Sequence, residues 1–255
     1  EGDGLTWTVD RESGVVHYHP SLPSAAVAPT WRGTVQVAEP GGIEYMHMLT
    51  LSRAPHNASM VAAWQGAARE EGAHGQRVFV AFSQDSQGRA WWPARAAADA
   101  SQWRLPPTAQ WGPVLHCHDC RAPSSQHLPP GPGRLWLFLS QSAPGCLRPA
   151  ATPGKAARWV VGGDVLATVH DPQGDTWSEP KVLYAQDAGG IPKVTANSLA
   201  VLQDGTWTLP FWRQRPRPVV IVDPSTNATT VQCVSHKLTT AGVLLSSNNG
   251  STWRA

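Results

Sequence analysis

Apolar residues along this 255-residue chain gather in short runs, each closed by glycine, proline or a polar turn. The runs fall at 46–51 (MHMLTL), 60–66 (MVAAWQG), 77–83 (RVFVAFS), 113–117 (PVLHC) and 134–140 (RLWLFLS). They continue at 165–170 (VLATVH), 181–184 (KVLY), 198–202 (SLAVL), 206–212 (TWTLPFW) and 242–246 (GVLLS). Runs of this length, rich in β-branched and aromatic residues, predict strands. The chain also holds 23 Gly and 23 Pro, which favours many turns over long helices. The prediction is an all-β protein.

The runs repeat. A Gly-x-x-Trp tail recurs at Gly4–Trp7, Gly88–Trp91, Gly174–Trp177 and Gly250–Trp253. Before each of the last three lies a β-rich run, so the pattern predicts a hairpin whose indole plugs a hole beneath the turn. Each period of roughly 80 residues offers two paired strands, a third strand, the Gly turn with its Trp, and a short fourth strand. Four antiparallel strands per repeat make a propeller blade. The surplus length falls at 99–112, 117–133, 142–158 and 213–238, which are predicted to be long loops. The expectation is one domain over 1–255: a remnant of a blade at 1–42, then blades at 43–112, 113–190 and 191–255. A closed propeller takes about four to eight blades, so the ring is expected to be incomplete.

Composition narrows the function. A formal charge of +2 gives no reason to invoke nucleic acid or an anionic membrane. No apolar run approaches the ~20 residues of a membrane helix. No signal-peptide pattern opens the chain, so Glu1 is expected to be a mature start or to lie inside a longer product. The chain has 13 Trp against 4 Phe and 3 Tyr; indoles suit sugar rings, and equally suit a repeated packing role. Sequons at Asn57, Asn227 and Asn249 tilt the expected compartment toward the secretory route.

The turn Ser246-Ser-Asn248-Asn-Gly250-Ser-Thr-Trp253 resembles the Asp-box, Ser-x-Asp-x-Gly-x-Thr-Trp, with Asn for Asp. Looser copies stand at Ser83–Trp91 and Asp171–Trp177, where Asp85 and Asp171 lie one residue farther from the glycine. With Met60-Val-Ala-Ala-Trp64-Gln-Gly66, Glu71-Gly72, Arg134–Phe138 and Asn197–Pro210, these segments are similar to the sialidase-like Asp-box repeat family over about 43–253. That resemblance implies a six-bladed propeller with a sugar site at the axial end of the innermost strands. It also implies an arginine triad on an acidic sugar, an Asp acid/base, and a Tyr nucleophile activated by Glu.

The chain departs from that machinery. Met46-His47-Met48 stands where the first arginine is expected, and Gln76 where the acid/base belongs. Thr195-Ala196-Asn197 carries no carboxylate, and Tyr18, Tyr45 and Tyr184 all lie away from the nucleophile's place. Sialidase catalysis is therefore not expected of this polypeptide alone. What the pattern leaves is a candidate catalytic carboxylate, Glu71, with candidate substrate-binding residues His47, Trp64, Asn197, Arg213 and Arg215. Each has a plainer reading: Trp64 as core, Glu71 and the two arginines as solvated loop residues.

His116-Cys117-His118-Asp119-Cys120 has the residue types of a zinc site, but no second Cys-x-x-Cys accompanies it. A disulfide or free thiols are expected there, with no metal and no cofactor. Three readings stay open: a carbohydrate-related propeller segment without sialidase activity, an active exo-α-sialidase-like glycoside hydrolase using Glu71, or a non-catalytic glycan- or protein-binding propeller. Uncovered end faces would favour self-association.

Overall fold

The structure is a computed structural model. It describes residues 6–9, 16–19, 42–55, 59–86, 88–97, 103, 107–120, 133–148, 150, 156–173, 175–186, 192–222, 225, 227 and 229–255. Of strand residues 6–9, 16–19, 148, 214–222 and 229–239 it describes the backbone alone. The described residues form strands and turns, with no helix among them. The chain divides into two units, Glu1–Arg32 and Gly33–Ala255. The first holds one antiparallel hairpin, β1 (Thr6–Val9) with β2 (Val16–His19).

The second unit carries three antiparallel sheets. The first runs β3 (Tyr45–Arg53), β4 (Met60–Ala67), β5 (Arg77–Phe82), β6 (Arg95–Ala96) in order. The second starts with β7 (Gln110–His118) and β8 (Arg134–Gln141). A small hairpin, β9 (Leu147–Arg148) with β10 (Arg158–Trp159), intervenes before β11 (Asp164–Asp171) returns to pair with β8. Two short strands, β12 (Thr176–Trp177) and β13 (Lys181–Tyr184), both pair with β11. In the third sheet β14 (Lys193–Thr195) and β15 (Ala200–Val201) share one edge of β16 (Trp207–Val222), and β17 (Thr229–Ser246) takes the other. Among the described residues no strand of the first sheet pairs with one of the third.

Why the runs are continuously apolar is visible in β8. Side chains alternate faces along a strand. Leu135, Leu137 and Leu139 join Val61, Val78 and Val80 of the first sheet in one core cluster. Phe138, with Trp136 packed beside it, joins Leu209, Phe211 and Leu244 of the third sheet in another. A sheet covered on both faces loses the polar half of the alternation. Each fully buried Leu or Phe contributes ~1.5–3 kcal/mol.

Two sequence expectations need correction. The first strand of the third sheet is β14, and the run expected at 198–202 is reduced to Ala200–Val201. Lys193 hides β14 from a pattern search. It is fully buried, its ammonium donating to the carbonyls of Ala185 (2.6 Å) and Gln186 (3.3 Å) and lying 4.0 Å from the Tyr184 ring centroid. Second, 213–238 is not a loop: β16 and β17 run through it as a long hairpin. Its prolines are tolerated because beyond Arg213 the free edge of β16 pairs with no strand among the described residues.

Candidate functional site

The strands β3, β7 and β14 all begin at one end of their sheets, and buried amides join those ends. Gln65, with no exposed surface, accepts the Gly112 N–H on Oε1 (2.9 Å) and donates from Nε2 to Glu71 Oε1 (3.1 Å). Gln76 Oε1 accepts the Gly72 N–H (2.7 Å), and its Nε2 donates to the Gln110 carbonyl (2.8 Å). Gln110 Oε1 in turn accepts the Val78 N–H (2.9 Å). On the far side of Gly112, the Thr195 hydroxyl donates to its carbonyl (2.5 Å). Gly112 has φ +54°, and a Cβ there would lie 1.7 Å from the Thr195 carbonyl oxygen, so no larger residue fits.

These bonds hold a small polar cluster at the rim. His47 Nδ1 lies 3.8 Å from Glu71 Oε1, with the two side chains 58% and 42% exposed. The Tyr45 hydroxyl is 3.1 Å from the same His47 nitrogen. Partial burial, and then the negative charge of Glu71, push the Tyr45 hydroxyl above its ordinary value against a smaller pull from Gln65. The phenol is therefore a neutral hydrogen-bonding group at physiological pH. The loop wall is fixed separately: Glu70 pairs with Arg158, and the Trp159 N–H donates to the Gly72 carbonyl (2.8 Å). The His74 ring meets the Trp159 indole edge-on at 5.9 Å.

Of the predicted residues, the fold brings Glu71 and His47 together. Trp64 is 6% exposed and stacked on Phe79 at 6.3 Å, so it belongs to the core and does not face the rim. Arg213 stands in register with Lys193 near the same end, where its Nε donates to Thr240 Oγ1 (2.6 Å). The Arg215 side chain lies outside the described residues. Asn197 lies elsewhere, on a cavity of about 230 Å³ that also touches Met48, Leu49, Pro113 and Ala196. The three first strands are all irregular there: β3 bulges between His47 and Thr50, β7 between Trp111 and Val114, and β14 gives way to β15. Tyr45 and Gln65 were missed. A glutamine in the run MVAAWQG is the one available signal, since a polar residue in a doubly covered strand needs a partner.

The His/Cys cluster offers no thiolate: Cys117 and Cys120 are joined in a disulfide, and Cys146 is disulfide-bonded as well. His118 Nε2 lies 3.3 Å from Asp119 Oδ2. The His116 ring meets Trp207 edge-on at 4.6 Å, and burial, followed by the charge of His118, lowers it to about 4.

The opposite end carries the Gly turns. Trp91 Nε1 donates to the Gly88 carbonyl (2.8 Å), and Trp253 Nε1 to the Gly250 carbonyl (3.0 Å). In the last turn Ser246 Oγ accepts the Gly250 N–H (2.9 Å) and Asn248 Oδ1 accepts the Thr252 N–H (2.9 Å). Asn248 thus does the work expected of the Asp. The BNR repeat-like domain family matches residues 58–255. The chain belongs to that family. BNR repeat-like turns thus share the same indole-to-glycine bond in the first and last copies, and Gly174 of the second lies outside the described residues.

No curated protein matches the BNR repeat-like chain. Among solved structures it is similar to a protein of unknown function from Dyadobacter fermentans DSM 18053, with 13% identity and a TM-score of 0.51, covering 86% of this chain and 56% of that one. A second is a complex of BT0996 with RGII, with 12% identity and a TM-score of 0.40, covering 86% of this chain and 61% of that one. The chain thus spans less than two thirds of the length of either.

Proposed function

We propose that this BNR repeat-like chain is a carbohydrate-binding propeller segment, with its sugar site at Tyr45, His47 and Glu71, the last held by Gln65, and that it does not hydrolyse sialosides. The observation that carries the reading is the partly exposed Glu71 carboxylate, aimed by a buried Gln65 amide beside the Tyr45 hydroxyl and the His47 imidazole. Sugar hydroxyls pair with such sets because each both donates and accepts. Three stacked antiparallel sheets with recurring Gly turns support the propeller. Three such sheets are described, fewer than the about four to eight of a closed ring, which supports an incomplete one.

Hydrolysis is disfavoured on chemistry. Glycosidases generally flank the bond with two carboxylates, and the neighbouring Glu70 is held by Arg158. A Tyr nucleophile needs its pKa lowered, whereas Tyr45 is raised. The test is a glycan array and calorimetric titration of the full chain, run beside a fluorogenic sialoside assay. Glycan binding weakened by Glu71→Gln, without sialic acid release, is expected. Turnover abolished by Glu71→Gln would establish the hydrolase instead; no glycan binding would sink both.

A further inference from the structure

At the turn end, between the first and second sheets, lies a cavity of about 430 Å³ that the first site does not use. The second Gly turn, which reaches it, differs from the last one. Seven residues before its Trp, the last turn has Ser246, which closes that turn by accepting a backbone N–H. Seven residues before Trp177 stands His170. An imidazole is too large to fold back in that way. It lies between Phe82 (4.9 Å) and Trp177 (5.1 Å), its side chain 6% exposed, and lines the cavity.

His170 Nε2 is 3.1 Å from Asp175 Oδ1, while its Nδ1 is buried without a partner. Arg95 of the first sheet pairs with the same carboxylate and donates to the Asp175 carbonyl (3.1 Å). Burial holds His170 below its ordinary value despite Asp175, so the ring is neutral at pH 7. For Asp175 burial acts upward, but the hydrogen bonds from Arg95 and His170 outweigh it and keep the carboxylate ionised. Arg95 and Asp175 then cancel, leaving a polar wall without net charge. Trp92, 59% exposed, adds a flat apolar ring.

We propose that this cavity is a second binding site, for a neutral saccharide that stacks on Trp92 and hydrogen-bonds to Arg95 and Asp175. An aromatic platform beside uncharged-in-sum donors and acceptors matches a sugar's apolar face and hydroxyl rim. The volume falls in the range of small-ligand pockets. An acidic sugar would meet no uncompensated cation here, which separates this ligand class from that of an arginine clamp.

The test is saturation-transfer NMR on the full chain with cellobiose, lactose and maltose, in a Glu71→Gln background that silences the first site. At least one disaccharide should receive transfer, and Trp92→Ala should raise its Kd about tenfold while Trp92→Phe restores most of the affinity. Trp92 is exposed, so an unchanged melting curve is expected of both variants. No transfer from any of the three sugars overturns the proposal. So does transfer that survives Trp92→Ala. Binding seen only when Glu71 is intact leaves the first site standing and removes this one.

Discussion

Replacing Gln65 by Leu tests whether one buried amide joins two sheets and aims Glu71. Leu keeps the volume and removes both hydrogen bonds. The Gly112 N–H, paired only 2.9 Å from Gln65 Oε1, would be left buried without an acceptor; such a loss costs ~1–3 kcal/mol. Release of the partly exposed Glu71 carboxylate adds ~1 kcal/mol at most. A total near 2–3 kcal/mol should lower the melting temperature by about 5–10 °C in a domain of this size. Urea unfolding followed by tryptophan fluorescence measures it. Gln65→Glu alone should be as harmful, because it sets a second carboxylate against Glu71, which now lies 3.1 Å from the Gln65 amide. Combining Q65E with E71Q restores a donor facing an acceptor and should recover all but ~1 kcal/mol. If Q65L lies within ~0.5 kcal/mol of the parent, or the exchanged pair is no better than Q65E alone, the joint is not where the stability resides.

Three further outcomes follow from single contacts. His116 titrates near 4 when folded against 6.5 when unfolded, so the unfolded chain takes up the proton first and stability is lost as pH falls from about 6.5 to 4. The full shift is worth ~3 kcal/mol, which partial exposure reduces to ~1–2 kcal/mol; thermal melts between pH 7 and 4 should show it, with a flatter profile for His116→Phe. A Cβ on Gly163 would stand 1.6 Å from the Gln141 carbonyl oxygen, so Gly163→Ala should cost ~3 kcal/mol or more by denaturant titration. Gly75→Ala, at φ +82° with open space, should cost only ~1–2 kcal/mol. Trp253→Phe should lose ~1 kcal/mol with its bond to Gly250, and Trp177→Ala ~3–5 kcal/mol because that ring is 7% exposed; a Trp177→Ala loss under ~1 kcal/mol would contradict that burial.

The strands were legible because covering a sheet on two faces writes its pattern directly into sequence, as RLWLFLS at β8 shows. The Gly turns were legible because a fixed indole-to-carbonyl bond needs Trp three residues after Gly. What escaped were features whose cause lies elsewhere in the chain. Lys193 reads as a strand breaker until the carbonyls of Ala185 and Gln186 receive its charge. The prolines of β16 read as loop until it is known that, among the described residues, that edge of the strand pairs with nothing beyond Arg213. His47 and Glu71 could be picked out by their place relative to the strands. Gln65 could not be given its role, since its acceptor duty is to Gly112, 47 residues away.

The repeat itself explains where chemistry can collect. Inside the sheets, Leu135, Phe138 and their neighbours are held by contacts on both faces, and a substitution there is a packing error before it is anything else. The two ends of the sheets lie outside those clusters, and they do so differently. At the strand-start end the backbones of adjacent sheets converge so closely that a Cβ on Gly112 or Gly162 would run into β14. Buried amides from Gln65, Gln76 and Gln110 must then satisfy the buried peptide groups there, and a residue such as Glu71 that bonds to the spare half of an amide is aimed without further machinery. At the turn end the first and last Gly turns close on themselves through their Trp, so the residue seven positions before the Trp is free to differ between turns. In the last turn that freedom is unused and Ser246 stays inside. In the second it admits His170, which reaches Asp175, and through it Arg95 of the neighbouring sheet, so a position that elsewhere closes a turn here links two sheets across a cavity.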